Sequence, residues 1–199
     1  GLADLTFEYN RGETGRYYTR EYNVQAISRR YWECMTVPDD WFLIWFDFDQ
    51  IDLRVAYNLL LRGDSKEDDI IFDKIKDKYE AVARIITKRT GNKFNLEDFK
   101  SKRDHYKTGV LARCYGAGEE TLSHDIKDRE FIKMLDMYFK SNKKYQTFVK
   151  ELKDVIEYGF DMEIEDYFGV KRDIIISGNE SSMMSKGLNT PIQSASNSI

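Results

Sequence analysis

Three short stretches of this 199-residue chain hold side chains whose types and spacing could do chemistry. The first is Asp47-Phe48-Asp49-Gln50-Ile51-Asp52-Leu53-Arg54, which follows the apolar run Trp41 to Phe46. An apolar strand ending in a carboxylate holds a metal ligand rigidly beside solvent, because core packing fixes the backbone and only one or two rotamers remain to be set. Taken alone, Asp47 and Asp49 are also what a plain strand end carries, and Asp52 what caps the next helix. The second stretch places Arg103, Lys107, Leu111 and Tyr115 four residues apart, a spacing that stacks them along one slowly drifting helical stripe. Two cations one turn apart, near the N-terminal half of a helix, are not what the macrodipole favours. An anionic ligand such as a triphosphate would explain them, with Arg offering a fork and Lys a point charge. A solvated helix face rich in Lys and Arg is the plain alternative. In the third stretch, Asn189-Thr190-Pro191-Ile192-Gln193, Asn and Gln stand one helical turn apart. Such a pair can read nucleic-acid backbone or base edges, or simply cap and solvate a helix.

Composition narrows the chemistry. Cys34 and Cys114 lie 80 positions apart and outside any CxxC pair, and the only histidines are His105 and His124. A disulfide scaffold and a zinc site are therefore not expected, and any metal would be a hard cation on carboxylates, magnesium or calcium. The net charge of −4 argues mildly against nucleic acid. Basic residues nevertheless cluster at Arg29-Arg30, Lys88-Arg89, Lys100 to Arg113, Lys143-Lys144 and Lys171-Arg172. No apolar run approaches the roughly 20 residues of a membrane helix, and Gly1 to Asn10 lacks the layout of a signal peptide, so membrane and secretory roles are not expected.

These side chains need elements to position them. The pattern predicts loops and short strands over the first 40 residues, then a buried strand from Trp41 to Phe48, bounded by Pro38 and acids. A helix follows from Ile51 to about Leu61, ended by Arg62-Gly63-Asp64. Across Lys66 to Arg89, Ile70, Ile71, Ile75, Tyr79, Val82, Ile85 and Ile86 recur at helical spacing until Thr90-Gly91-Asn92 breaks the pattern. Further helices are predicted from near Asn95 to Cys114, stopped by Gly116 and Gly118, from Glu119 to Lys140, and from Lys143 to Tyr158. A short β-like run covers Asp173 to Ser177. The expected class is α+β and mostly helical.

In this order, the stretches resemble the motifs of family A (DNA polymerase I-like) DNA polymerases. Asp47 to Arg54 is similar to that family's DYSQIELR element, matching at Asp47, Gln50, Ile51, Leu53 and Arg54. Arg103-x3-Lys107-x7-Tyr115-Gly116 looks like its fingers-helix motif, and Asn189-x-Pro191-Ile192-Gln193 like its N-x-PIQ signature. Thr14-Gly15-Arg16 and Asn23-Val24-Gln25 resemble the TGR and NLQ elements, and Phe168 to Arg172 the FGRRR-like loop.

The resemblance implies a fingers subdomain with an incomplete antiparallel-sheet palm: residues 1–61 as a palm part with the metal-binding strand, 62–185 as fingers, and 186–199 as the start of a returning palm helix. It implies a template-directed DNA polymerase that transfers a dNTP to a primer 3′ hydroxyl with two Mg2+ ions. Asp47 and the Phe48 carbonyl would be metal ligands. Arg103 and Lys107 would clamp the triphosphate, with Lys107 and Asp47 as the catalytic pair, and Gln50, Asp52, Leu111 and Tyr115 would complete the dNTP site. Arg16, Asn23, Gln25, Arg54, Asn189 and Gln193 would contact primer–template DNA. Departures from the family pattern bear on this. Asp52 stands where the family has the Glu that screens out a ribose 2′ hydroxyl, Leu111 replaces an aromatic beside the sugar, Asn58 a phosphate-contacting histidine, and Asp49 a serine. A carboxylate at position 52 argues against a single-subunit RNA polymerase. No HDE-like motif with the second catalytic carboxylate occurs before Ile199. A second polypeptide or a C-terminal segment is therefore expected to supply it, as in a split polymerase; the alternative is a non-catalytic DNA- or nucleotide-binding accessory subunit. The expected location is the cytoplasm of a bacterial or phage-infected cell, or an organelle.

Overall fold

Polar caps set the boundaries of most helices. The computed structural model describes residues 9–11, 17–19, 27–42, 44, 47–158, 162–174 and 179–197. Strands β1 (Tyr9–Arg11) and β2 (Tyr17–Thr19) form an antiparallel hairpin with Asn10 opposite Tyr18, and a 3-10 helix spans Arg29–Cys34. Helix α1 (Ile51–Ala56) runs on as a π-helical turn, Tyr57–Leu61, and ends at Gly63, whose φ of +95° suits a residue without Cβ. The predicted helix over 51–61 is thus present, with a widened last turn.

The predicted single helix over Lys66 to Arg89 is two helices, α2 (Lys66–Lys74) and α3 (Lys78–Arg89). Asp77 breaks it, because its side chain accepts from the Tyr79 backbone N–H and so caps a new helix. The stretch from Glu119 to Lys140 divides likewise into α5 (Glu119–Asp125) and α6 (Arg129–Ser141), where Asp128 caps through the Phe131 N–H. Helix α4 (Leu96–Cys114) starts at the Asn95 cap and α7 (Lys143–Tyr158) follows α6 closely, both as predicted.

A hairpin of β3 (Met162–Glu165) and β4 (Lys171–Ile174) pairs Ile164 with Arg172. The predicted β-run at Asp173 to Ser177 lies in β4 for its first two residues, and 175–178 are outside the described residues. Helix α8 (Glu180–Asn197) starts before residue 186 and carries Pro191 within it.

The strand predicted over Trp41 to Phe48 is not found among the described residues. Trp41, Phe42, Ile44 and Phe48 are 70, 87, 78 and 47% exposed and lie in irregular structure. No described strand runs beside them, and a strand without a ladder partner leaves its backbone groups and apolar face uncovered. The core lies elsewhere, among Leu53 and Leu60 after the turn at Gln50, Val82, Ile85 and Ile86 of α3, Val110 and Cys114 of α4, Leu135 and Phe139 of α6, and Leu188 and Ile192 of α8. The architecture is α+β and mostly helical.

Candidate functional site

Helix α4 is the spine of the site. Phe99, Tyr106, Val110 and Cys114 bury one face, so Arg103 and Lys107 fall toward solvent while Leu111 and Tyr115 are half-buried beside the core. Gly109 permits the close approach of α6: a Cβ there would lie 2.7 Å from the Leu135 side chain and 2.9 Å from Phe131. Burial within this wall pushes the Cys114 thiol up to about 12.

The two cations of the stripe differ. Arg103 donates its Nε–H to Asp77 Oδ2 at 2.8 Å, and its guanidinium carbon lies 5.4 Å from the Tyr79 ring centre. The Asp77 hydrogen bond raises the Arg103 pKa above its ordinary value. Lys107, one turn on, is exposed and has no hydrogen bond or ion pair among the described residues. The macrodipole gives neither cation a reason to stand where it does.

The Asp47–Arg54 element meets this helix through the start of α3. Gln50 adopts a left-handed conformation (φ +56°) that turns the chain from Asp47 into α1, and its Oε1 accepts from the Lys78 backbone N–H at 2.6 Å. Its Nε2 donates to Asp49 Oδ1 at 3.0 Å. Asp52, on the first turn of α1, stands near enough to Tyr79 for its charge to add to burial in pushing that phenol up to about 12. Arg54 folds back on Asp49, donating Nε–H to the Asp49 carbonyl at 2.8 Å and placing Nη2 3.6 Å from its carboxylate. Asn58 donates Nδ2–H to the Arg54 carbonyl at 2.7 Å.

Helix α8 joins at the far end of α4. Gly116 (φ +86°) follows Tyr115 so closely against α8 that a Cβ there would lie 2.8 Å from Leu188 Cδ1, one residue before Asn189. The Asn189 Oδ1 is buried and lacks a hydrogen-bond partner among the described residues; Gln193 is half-buried one turn later. The β3–β4 hairpin locks the same helix. Ser194 Oγ donates to Asp166 Oδ2 at 2.6 Å and accepts from Arg172 Nε at 3.0 Å, while Asp166 Oδ1 accepts the Phe168 and Val170 backbone N–H groups.

Of the sequence-predicted residues, Arg103, Lys107, Leu111 and Tyr115 follow one another along α4 to its C-cap, Gln50 and Asp52 stand at the start of α1 beside the start of α3, and Asn189 and Gln193 stand on the helix that abuts the end of α4. Asp47 and Phe48 precede this group and are exposed. Arg16, Asn23 and Gln25 lie outside the described residues. Asp77, Tyr79, Asp166 and Ser194 were not anticipated; the acid-x-x-acid pattern Asp77-Lys78-Tyr79-Glu80 is a capping signal that could have exposed the first pair. Asp47 and the Phe48 carbonyl offer the hard oxygen donors that magnesium takes. They fit part of such a site: among the described residues no three His, Cys, Asp or Glu side chains cluster to hold a metal.

The profile of DNA polymerase family A matches residues 4–199, nearly the whole chain. The chain belongs to DNA polymerase family A. Its fold is similar to that of the POL domain of Pol1 from M. smegmatis, a structure in complex with DNA primer-template and dNTP, at a TM-score of 0.64 and 19% identity. That likeness is one of fold; it covers 95% of this chain and 35% of the other, so the chain spans about a third of that structure's length. A comparison with curated protein sequences finds no match.

Proposed function

We propose that this chain provides the nucleotide-binding part of a template-directed DNA polymerase that adds dNTPs to a primer 3′ hydroxyl. The observation that carries the reading is the α4 stripe: Lys107 exposed one turn from an Arg103 already held in place by Asp77 against the Tyr79 ring. The Arg103 and Lys107 cations would bind the triphosphate in that geometry, and Tyr115, at the α4 end beside α8, would meet the new base pair. Asn189 and Gln193, half-buried and one helical turn apart on α8, are proposed to contact the primer–template. Asp52 would exclude the ribose 2′ hydroxyl. Arg16, Asn23, Gln25 and Arg54 are proposed DNA contacts, the last after release from Asp49. Residues 1–61, 62–185 and 186–199 are proposed as palm part, fingers and returning helix.

Asp47 and the Phe48 carbonyl would hold magnesium, which when bound activates the primer hydroxyl and neutralises charge on the leaving pyrophosphate. Asp47 supplies one carboxylate, and the other is proposed to come from a further chain or segment. A second reading is a non-catalytic subunit that binds DNA or nucleotide only. A gel-shift assay tests the shared premise: the next correct dNTP should stabilise the primer–template complex, and Lys107→Ala should weaken that stabilisation by about 10²-fold. Equal stabilisation in both proteins would remove α4 from the nucleotide site.

A further inference from the structure

Asp77 serves two helices at once. Its Oδ1 accepts from the Tyr79 N–H at 3.0 Å and caps α3, while its Oδ2 accepts from Arg103 Nε at 2.8 Å. The buried Tyr79 ring lies against the same guanidinium. Only Nε is used: among the described residues the two terminal nitrogens of Arg103 make no hydrogen bond, and the next cation, Lys107, stands one turn along the same stripe. The start of α3 is itself anchored, by Gln50 Oε1 on the Lys78 N–H at 2.6 Å.

We infer that Asp77 is a positioning residue for triphosphate recognition: it holds Arg103 by the inner nitrogen so that the outer two face a phosphate. The inference rests on the reading of Arg103 as a triphosphate ligand. An acid beside a phosphate site also repels the phosphate, and magnitudes decide between the effects. Full rotamer freedom of an arginine is worth on the order of thirtyfold in affinity, part of which Asp77 and Tyr79 recover in advance. A carboxylate about 7 Å from a phosphate in water costs roughly threefold before salt screening, and the Asp77 charge is already paired with Arg103, which offsets its field, so positioning prevails.

The test is an NMR titration of the full chain with inorganic tripolyphosphate, reading affinity from the α4 amide resonances. Asp77→Asn keeps a helix cap and removes the charge, and Asp77→Ser keeps a cap but cannot reach Arg103. Each should retain the melting temperature and bind tripolyphosphate about threefold more weakly. In an Arg103→Ala background the same substitutions should no longer weaken binding, and loss of the carboxylate should tighten it by up to about threefold. Unchanged or tighter binding in the Asp77 variants, with binding weakened by Arg103→Ala, would overturn the inference alone. An Arg103→Ala protein that binds as well as the wild type, or a wild type that does not bind, would overturn the reading of Arg103 and the inference with it.

Discussion

Two lysines show how differently one residue type can be used. Lys107 is exposed and faces solvent, whereas Lys78 is buried and donates its Nζ protons to the Phe72 and Ile75 carbonyls at 2.6 and 2.7 Å, closing the last turn of α2. Burial lowers the Lys78 pKa, with the Arg54 charge adding to it. Lys78→Met removes the donor and strands both carbonyls, so urea unfolding should show a loss of about 1–3 kcal/mol. Lys107→Ala should stay within about 0.5 kcal/mol of wild type while losing nucleotide affinity. Position 52 tests the sugar assignment. Asp52→Ala should raise ribonucleotide incorporation relative to deoxyribonucleotide in primer extension, and an unchanged ratio would dismiss Asp52 as the gate. The family motifs singled out Asp52, Arg103 and Lys107 as candidates. They did not reveal that Gln50 spends both halves of its amide inside the protein, because a motif names a residue without naming its partner.

At the scale of elements, α8 is held by a polar lock rather than by its apolar face alone. Asp166 is buried, and its Oδ2 depends on the Ser194 hydroxyl. Ser194→Ala would leave that oxygen and Arg172 Nε short of a partner, with an expected cost of about 1–3 kcal/mol in chemical unfolding. It should also weaken primer–template binding, since Gln193 is the adjacent residue. Most helices were legible because their apolar period and their caps agree, as with Asn95 before α4. The Lys66–Arg89 stretch misled because Ile71, Ile75, Tyr79 and Val82 stay in helical phase across the break, so the period conceals a turn that only Asp77 marks. The apolar run at Trp41 misled for a different reason. β-structure is a property of pairs of strands, and a single sequence stretch does not carry its partner.

At the scale of the molecule, the net charge of −4 hides the local arrangement, with acids offsetting the α4 cations. The core contributes a pH response of its own. Burial pushes Tyr79, Tyr106 and Tyr145 up to about 12, and Tyr57 and Tyr138 further up. A folded pKa above the unfolded value means the folded state holds its protons longer, so this stability is complete below pH 10 and is lost as pH rises toward 12. Melting temperatures should fall between pH 10 and 12, with tyrosinate absorbance rising in step with unfolding. Independent titration of these tyrosines near pH 10 in a still-folded protein would contradict the buried core. The central claim, that this family A chain takes part in DNA synthesis through Asp47 and the α4 stripe, is tested most directly by magnesium-dependent primer extension with the assembled polymerase that contains it. Extension by the wild type, abolished by Asp47→Ala, is the predicted result; extension that survives Asp47→Ala would contradict the account.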